Sequence, residues 1–553
     1  MFELRTVLLA AVAFGIAYVA RGLVNGYKLR ARRQGLPGPP HSWLFGDLGT
    51  MGKINDANPA RAHPHAVLIQ VRKMFNLPRY MYLDLWPITY SILVVQDPDM
   101  AQQVVVEHQA LKHPIPKDIM EAVVGPDDMV TMDGPQWKMW RTMFAPGFSN
   151  KHVMSQVPGF VDDVNIFIER LSEHAERRDV FRLFERTSRL TVDAIGRSVL
   201  NIQFNMQRGD HAFFRALTQQ LQLLENGPFG ILTGWSPLVI YQKWCNNRIM
   251  SDYFGKVLDD AYAKRRLQRE IKDDSGRTTL DLALDSCFAG ESSIVEARPE
   301  KLNPTLRTGI ITQLRTFVFA GHDTTAATIC YLFYVLSKNP TCLQRLREEH
   351  EIILGSSSTT ASTLKSSPHL LNQLEYTHCV IKETLRLYPI GGTVRSGSPS
   401  LHLTDRETGE KFPTDGYMIM IDQYGMGRSE DIWGPDANDF NPDRFMPENS
   451  GKIPKGAYRA FELGPKNCIG QNFAIMEMKV VLALVARVME FSTALDEEGL
   501  AEVGRDGSDF AKDPSFRKGK QDVEGEEMYQ VLVGAAKPRE GMPVRVKKVD
   551  WKP

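Results

Sequence analysis

Apolar residues recur at three- and four-residue spacing over 160–175, 183–200, 213–224, 253–271, 306–337, 372–387 and 471–490. Each stretch therefore predicts a helix that buries one face. Runs of β-branched and apolar residues at 92–95, 529–533 and 544–549 predict short strands. Serine and threonine dominate 355–367, which predicts a surface loop, and the polar, acid-leaning stretch 497–527 predicts an exposed insertion. No repeat interrupts this order. The pattern predicts a mainly α body with small β-sheets.

The amino terminus departs from it. Residues 6–20 are apolar or small without a break, a helix of about 22 Å at 1.5 Å per residue. Continued to Val24 it reaches about 28 Å, close to the ~30 Å of a hydrocarbon core, with Arg21 snorkelling to the interface. Basic residues follow the run (Arg21, Lys28, Arg30, Arg32, Arg33), whereas a cleaved signal carries them before it. Since positive flanks stay cytoplasmic, an uncleaved transmembrane anchor with a lumenal amino terminus is expected. A signal peptide and a buried core helix are the alternatives. Pro37, Pro39 and Pro40 then forbid further helix and stiffen the chain. The expected division is an anchor and basic flank over 1–34, then one folded body over 35–553.

Composition narrows the function little. With 43% hydrophobic and 24% charged residues the chain is ordinary for a globular protein. Lys plus Arg and Asp plus Glu both number 66, so the net charge is zero and nothing favours nucleic-acid binding. The six cysteines form no C-x-x-C pair, which excludes a zinc cluster of that type or a dense disulfide framework.

One cysteine has an unusual setting. Phe461-Glu462-Leu463-Gly464-Pro465-Lys466-Asn467-Cys468-Ile469-Gly470 runs directly into the 471–490 helix. A thiol there meets free backbone N–H groups and the positive end of the helix dipole, which should lower its pKa. Gly464 and Gly470 permit tight turns and close approach of a flat ligand. A thiolate is one of the few protein ligands that push electron density onto haem iron. From these ten residues alone, a haem ligand and a buried structural cysteine are equally good readings.

Phe461, Gly464, Cys468 and Gly470 resemble the haem-ligand signature F-x-x-G-x-R-x-C-x-G of the cytochrome P450 family, with Lys466 at the arginine position. The resemblance implies that Cys468 is the axial ligand of haem b and that Lys466 contacts a propionate with a point charge instead of a fork. Glu383-Thr384-Leu385-Arg386 resembles the family's E-x-x-R pair, and 440–445 resembles its meander, which nominates Arg444 as the pair's third member. Those three would hold the cysteine loop. Ala320-Gly321-His322-Asp323-Thr324-Thr325 places a glycine, an acid and β-branched residues inside a helical pattern, against helix propensity. It resembles the distal helix of the family. That implies an oxygen-binding groove, Thr324 as hydrogen-bond donor to bound oxygen, and Asp323 as a source of protons; otherwise it reads as a kinked core helix. Trp137 and Arg141, four residues apart, resemble the propionate-binding W-x-x-x-R, and Arg395 resembles a further propionate ligand.

The resemblance spans the chain in family order and explains 497–527 least. It implies a cytochrome P450 fold behind one transmembrane helix, on the cytosolic face of the endoplasmic reticulum membrane. It also implies a monooxygenase that draws NADPH electrons through a separate cytochrome P450 reductase, with cytochrome b5 as a further candidate partner. Apolar stretches at 111–132, 213–244 (with Phe229 and Trp235), the distal helix (with Phe317 and Phe319) and 390–394 would line a pocket for a hydrophobic molecule. The 529–546 segment resembles filamentous-fungal members, many of which oxidise polyketides or terpenoids. A haem-thiolate isomerase or dehydratase, a haem-binding sensor and an unrelated membrane-anchored interaction protein are the rival readings.

Overall fold

The computed structural model describes residues 2–223, 236–267, 277–290, 300–506 and 519–551, together with Ala511 and Arg517. Helices dominate, and the predicted ones form: Val157–Arg177, Leu183–Ile195 with a π turn to Leu200, Ala212–Gln222, Pro237–Leu267, Pro304–Lys338, Glu375–Leu387 and Gln471–Val485. The long Pro304–Lys338 helix runs through the middle of the main apolar core, with Leu314, Val318, Ala326, Ile329 and Leu332 fully buried. It starts on Asn303, whose side chain accepts the Thr305 N–H at 2.9 Å, with Pro304 in the first turn. That is a favourable start, because proline lacks only a donor that has no helical partner there. It ends before Pro340, which cannot continue the helix. The helix is continuous through Ala320–Thr325, where Thr324 and Thr328 donate their hydroxyls to the carbonyls four residues back, both at 2.8 Å.

The sheets are peripheral. A four-stranded sheet has the order Tyr80–Leu83, Ile92–Val95, Met418–Ile421, Thr393–Ser396, with only the middle pair parallel. Pro543–Lys548 lies between Phe181–Arg182 and Met489–Thr493 in a second sheet. Gln530–Val533 and Ala535–Pro538 form a hairpin whose Ala536 N–H donates to Ile390 O at 3.1 Å.

Two loop expectations are corrected. Thr360–Ser366 is a helix, because Leu364 and Thr360 are buried and draw this segment onto the body. Part of 497–527 is also no exposed insertion: Glu497–Val503 is helical, and Glu526 accepts hydrogen bonds of 2.6 Å from both Tyr334 and Tyr388.

At the amino terminus, Phe2–Arg33 forms one helix. Most of the 6–20 apolar run lies outside the described side chains; among the described residues no helix is long and apolar enough to cross a membrane. The basic flank is only partly free. Arg30 is buried against Asp84 at 3.0 Å, and Arg33 is buried near Asp47 at 3.7 Å. Gly26 lies so close to Trp86 that a Cβ would sit 2.7 Å from the ring. The helix end is therefore docked on the body before the proline segment begins.

Candidate functional site

Cys468 opens on a cavity of about 390 Å³ whose wall also contains Ala320, Gly321 and Thr324 of the long helix. The loop that carries it is fixed by backbone bonds: Cys468 N–H donates to Phe461 O at 2.9 Å, and Asn467 N–H to Gly464 O at 3.2 Å. Gly464 has φ +78°, and a Cβ there would stand 2.8 Å from Val105 O, so no other residue fits without strain. Gly470 precedes the Gln471–Val485 helix and leaves room beside the sulfur, since even a Cβ would stand 3.9 Å from it. The Cys468 side chain is exposed to this cavity, and the protein packed around it pushes the thiol pKa up where the sequence predicts a lowered one, against a smaller downward pull from the Gly470 N–H and Arg141. A bound metal cation would reverse this, since a coordinating thiol is deprotonated outright.

Cationic side chains gather on the same cavity: Lys112, Arg141, Arg395 and Lys466. Arg141 donates to Asn467 O and Oδ1, both at 2.8 Å, which braces the residue next to the cysteine. Lys466 pairs with Asp133, at the start of the Gly134–Phe144 helix that carries Trp137 and Arg141. Arg395 is buried and donates to Val394 O at 2.8 Å. Trp137 lies 5.9 Å from the Lys112 ammonium. Nothing in the sequence marks Lys112. It donates to Met129 O at 2.9 Å, and burial lowers its pKa to about 7, against the upward pull of Asp133. A lysine preceding His-Pro carries no motif, so only the fold reveals it.

The rest of the wall is largely apolar, with Ile195, Phe317, Leu385, Ile390 and Val394. The expected segments around 112–131, 316–328 and 390–394 contribute. Among the described residues none of 213–223 or 236–244 does, and Phe319 packs instead near His322. Phe229 and Trp235 lie outside the described residues.

Glu383 and Arg386 are buried and meet through two bonds of 2.7 Å. Arg444 Nε stands 3.4 Å from Glu383, and Arg444 also donates to Trp433 O at 2.9 Å. The three predicted partners are thus together, and none of them lines the cavity. Asp323 is separated from it too: it pairs with Lys537 at 2.9 Å, although its neighbour Thr324 lines the cavity.

The family model "Cytochrome P450" matches residues 36–504. The chain belongs to the cytochrome P450 family. It is 33% identical to cytochrome P450 monooxygenase polC of Polytolypa hystricis over 98% of this chain and 95% of that protein. Cytochrome P450 monooxygenase acrF of Aspergillus aculeatus is 30% identical over 89% of this chain and 99% of its own. The crystal structure of a cytochrome P450, CYP102L1, superposes with TM-score 0.69 at 20% identity, covering 93% of this chain and 100% of that one. The fold is the P450 fold, and the enzyme is a cytochrome P450 monooxygenase.

The residues present fit the haem that the family implies. A sulfur opens on the cavity between the Gly470 backbone and the thin Ala320–Gly321 stretch of the long helix, and cations share the wall. That donor set suits a flat, dianionic iron porphyrin.

Proposed function

We propose that this P450 inserts one oxygen atom of dioxygen into a hydrophobic organic molecule, using NADPH electrons delivered by a separate reductase. The single observation that carries the reading is one mostly apolar cavity shared by Cys468 and Thr324. Cys468 would bind the iron of haem b, with Arg141, Trp137, Arg395 and Lys466 at its propionates and Lys112 beside them. Phe461, Gly464 and Gly470 shape the loop around it. Glu383, Arg386 and Arg444 hold the backbone behind that loop. Bound haem supplies dioxygen activation. Thr324 Oγ, which donates to Ala320 O, can turn to the cavity and hold a proton there, and Asp323 supplies it. Ile195, Phe317 and Ile390 exclude water and favour an apolar substrate of polyketide or terpenoid type.

The reductase, with cytochrome b5 as a further electron donor, belongs to this reading, as does an endoplasmic reticulum anchor that leaves the body in the cytosol. Exposed Phe14, Ile16, Leu23 and Val24 on the amino-terminal helix support the anchor. The test is turnover of a panel of hydrophobic polyketides and terpenoids with reductase, NADPH and isotopically labelled dioxygen. One labelled oxygen atom per product is expected; products formed without label, or without NADPH, would overturn the reading.

A further inference from the structure

A second cavity, of about 980 Å³, shares no lining residue with the one that Cys468 opens on. It is a groove between the carboxyl-terminal end of the Pro304–Lys338 helix, the start of the Pro340–Leu354 helix and the strands Met489–Thr493 and Pro543–Lys548. Its wall is mostly apolar, with Phe333, Leu336, Leu343, Met489, Phe491 and Val546. The rings of Phe333 and Phe491 stack there at 4.3 Å. Small-molecule sites span ~300–1,000 Å³ and have this make-up, an apolar lining with a few polar groups.

The charges on the wall are one-sided. Arg178, Arg347, Arg545 and Lys547 line it against one carboxylate, Glu490. Arg347 and Lys547 share that carboxylate, at 3.2 and 2.8 Å. Arg545 pairs at 3.1 Å with Asp496, which is 54% exposed and does not line the groove. Such an exposed pair binds weakly, so Arg545 is free to turn to a ligand. Arg178 is exposed, follows the Val157–Arg177 helix and makes no ion pair among the described residues. The Pro340–Leu354 helix adds to this field. Pro340 and Thr341 line the groove, and the preceding Asn339 does not cap them with its side chain, which donates backward to Val335 O at 2.7 Å. The first N–H groups of that helix and its dipole therefore favour an anion.

We propose that this groove binds an amphipathic carboxylate, the anion of a long-chain fatty acid. Its chain covers the apolar wall, and its carboxylate lies among the cations, Arg178 first because that side chain has no acidic partner. A neutral apolar molecule would leave the surplus positive charge unanswered. A small inorganic anion would leave the Phe333–Phe491 wall wet. The site is separate from the oxidation cavity, so the proposal does not depend on how that cavity is read.

Dansylated undecanoate, a fluorescent long-chain carboxylate, is the probe. It is titrated into haem-loaded full-length protein in saturating imidazole, which occupies the iron. Saturable binding to one site per chain is expected, and the methyl ester of the probe should bind several-fold more weakly. Arg178→Glu should weaken the acid several-fold and leave the ester unchanged, while Arg178→Lys should keep the affinity. Ser492 is an exposed groove residue opposite Arg545, and Ser492→Trp should block acid and ester alike. If Ser492→Trp does not fold, the acid and ester affinities of Arg178→Glu still decide. No saturable binding, equal affinity for acid and ester, or an unchanged acid affinity in Arg178→Glu or in folded Ser492→Trp would overturn the proposal. Binding seen only without imidazole would place the probe in the haem cavity and overturn it as well.

Discussion

Glu383 and Arg386 are joined by two parallel hydrogen bonds of 2.7 Å in a site where neither side chain is more than 1% exposed. The Asn441 N–H donates to the same carboxylate at 2.9 Å, and Arg386 donates to Ala437 O at 2.6 Å, so the pair joins the Glu375–Leu387 helix to the chain that leads to the cysteine loop. A buried ion pair gains little over an apolar replacement, but losing one partner strands the other. Arg386→Met should therefore destabilise the protein by about 3–5 kcal/mol, seen as a lower urea midpoint. Arg386→Lys keeps the charge without the fork and should fall between that variant and the unmodified protein. Equal midpoints for all three would contradict this role.

Much of this was legible in the sequence because it rests on short spacings. The E-x-x-R pair, the cysteine loop and the long helix each lie within one segment, where helical periodicity or turn glycines mark them. Lys537 and Lys112 were not legible. Each acts on residues brought close only by tertiary folding: Lys537 from the carboxyl-terminal hairpin onto Asp323, and Lys112 from its β-bridge with Arg395 onto the cavity. Serine and threonine weaken local helix preference, so the sequence predicts a loop over 355–367, while burial of Leu364 makes Thr360–Ser366 a helix. The direction of the Cys468 thiol pKa is not legible for a related reason: the local dipole can be read from sequence, but the desolvation by surrounding segments cannot.

Gly464 carries the turn before the cysteine, with φ +78° and Val105 O in the place of a side chain. Gly464→Ala should cost about 1–3 kcal/mol through backbone strain, plus the displacement of Val105. Gly470→Ala is the control, since its φ is −83° and its nearest contact would be 3.9 Å. Urea unfolding of the two variants should separate them clearly; equal losses would mean the strain at Gly464 is unimportant.

Lys466 stands where the family signature has arginine, and it pairs with Asp133. Lys466→Arg should retain haem as well as the unmodified protein, because the charge beside Asp133 is kept. Lys466→Met should lose haem faster to an apoprotein acceptor. A clear loss in the arginine variant would contradict this placement of the loop.

His350 links stability to pH. It is fully buried, and its Nε2 lies 2.8 Å from Thr377 Oγ, whose hydroxyl already donates to Glu349 at 2.6 Å. The imidazole must therefore donate through Nε2, leaving Nδ1 bare in the interior. Burial, with help from Arg487, lowers its pKa from 6.5 to about 3. Below 6.5 the unfolded chain takes up a proton that the folded chain refuses. The stability present above pH 6.5 should therefore decline as pH falls from 6.5 towards 3. His350→Gln should flatten that decline in acid titrations of the urea midpoint; an unchanged slope would exclude His350 as a source.

The central claim is thiolate ligation by Cys468, and the carbon monoxide difference spectrum of the reduced protein tests it most directly. The unmodified protein should show the long-wavelength Soret band of a thiolate-bound haem, and Cys468→Ala should lose it. A band at the position of a histidine-ligated haem in the unmodified protein, or an unchanged band in Cys468→Ala, would contradict the assignment.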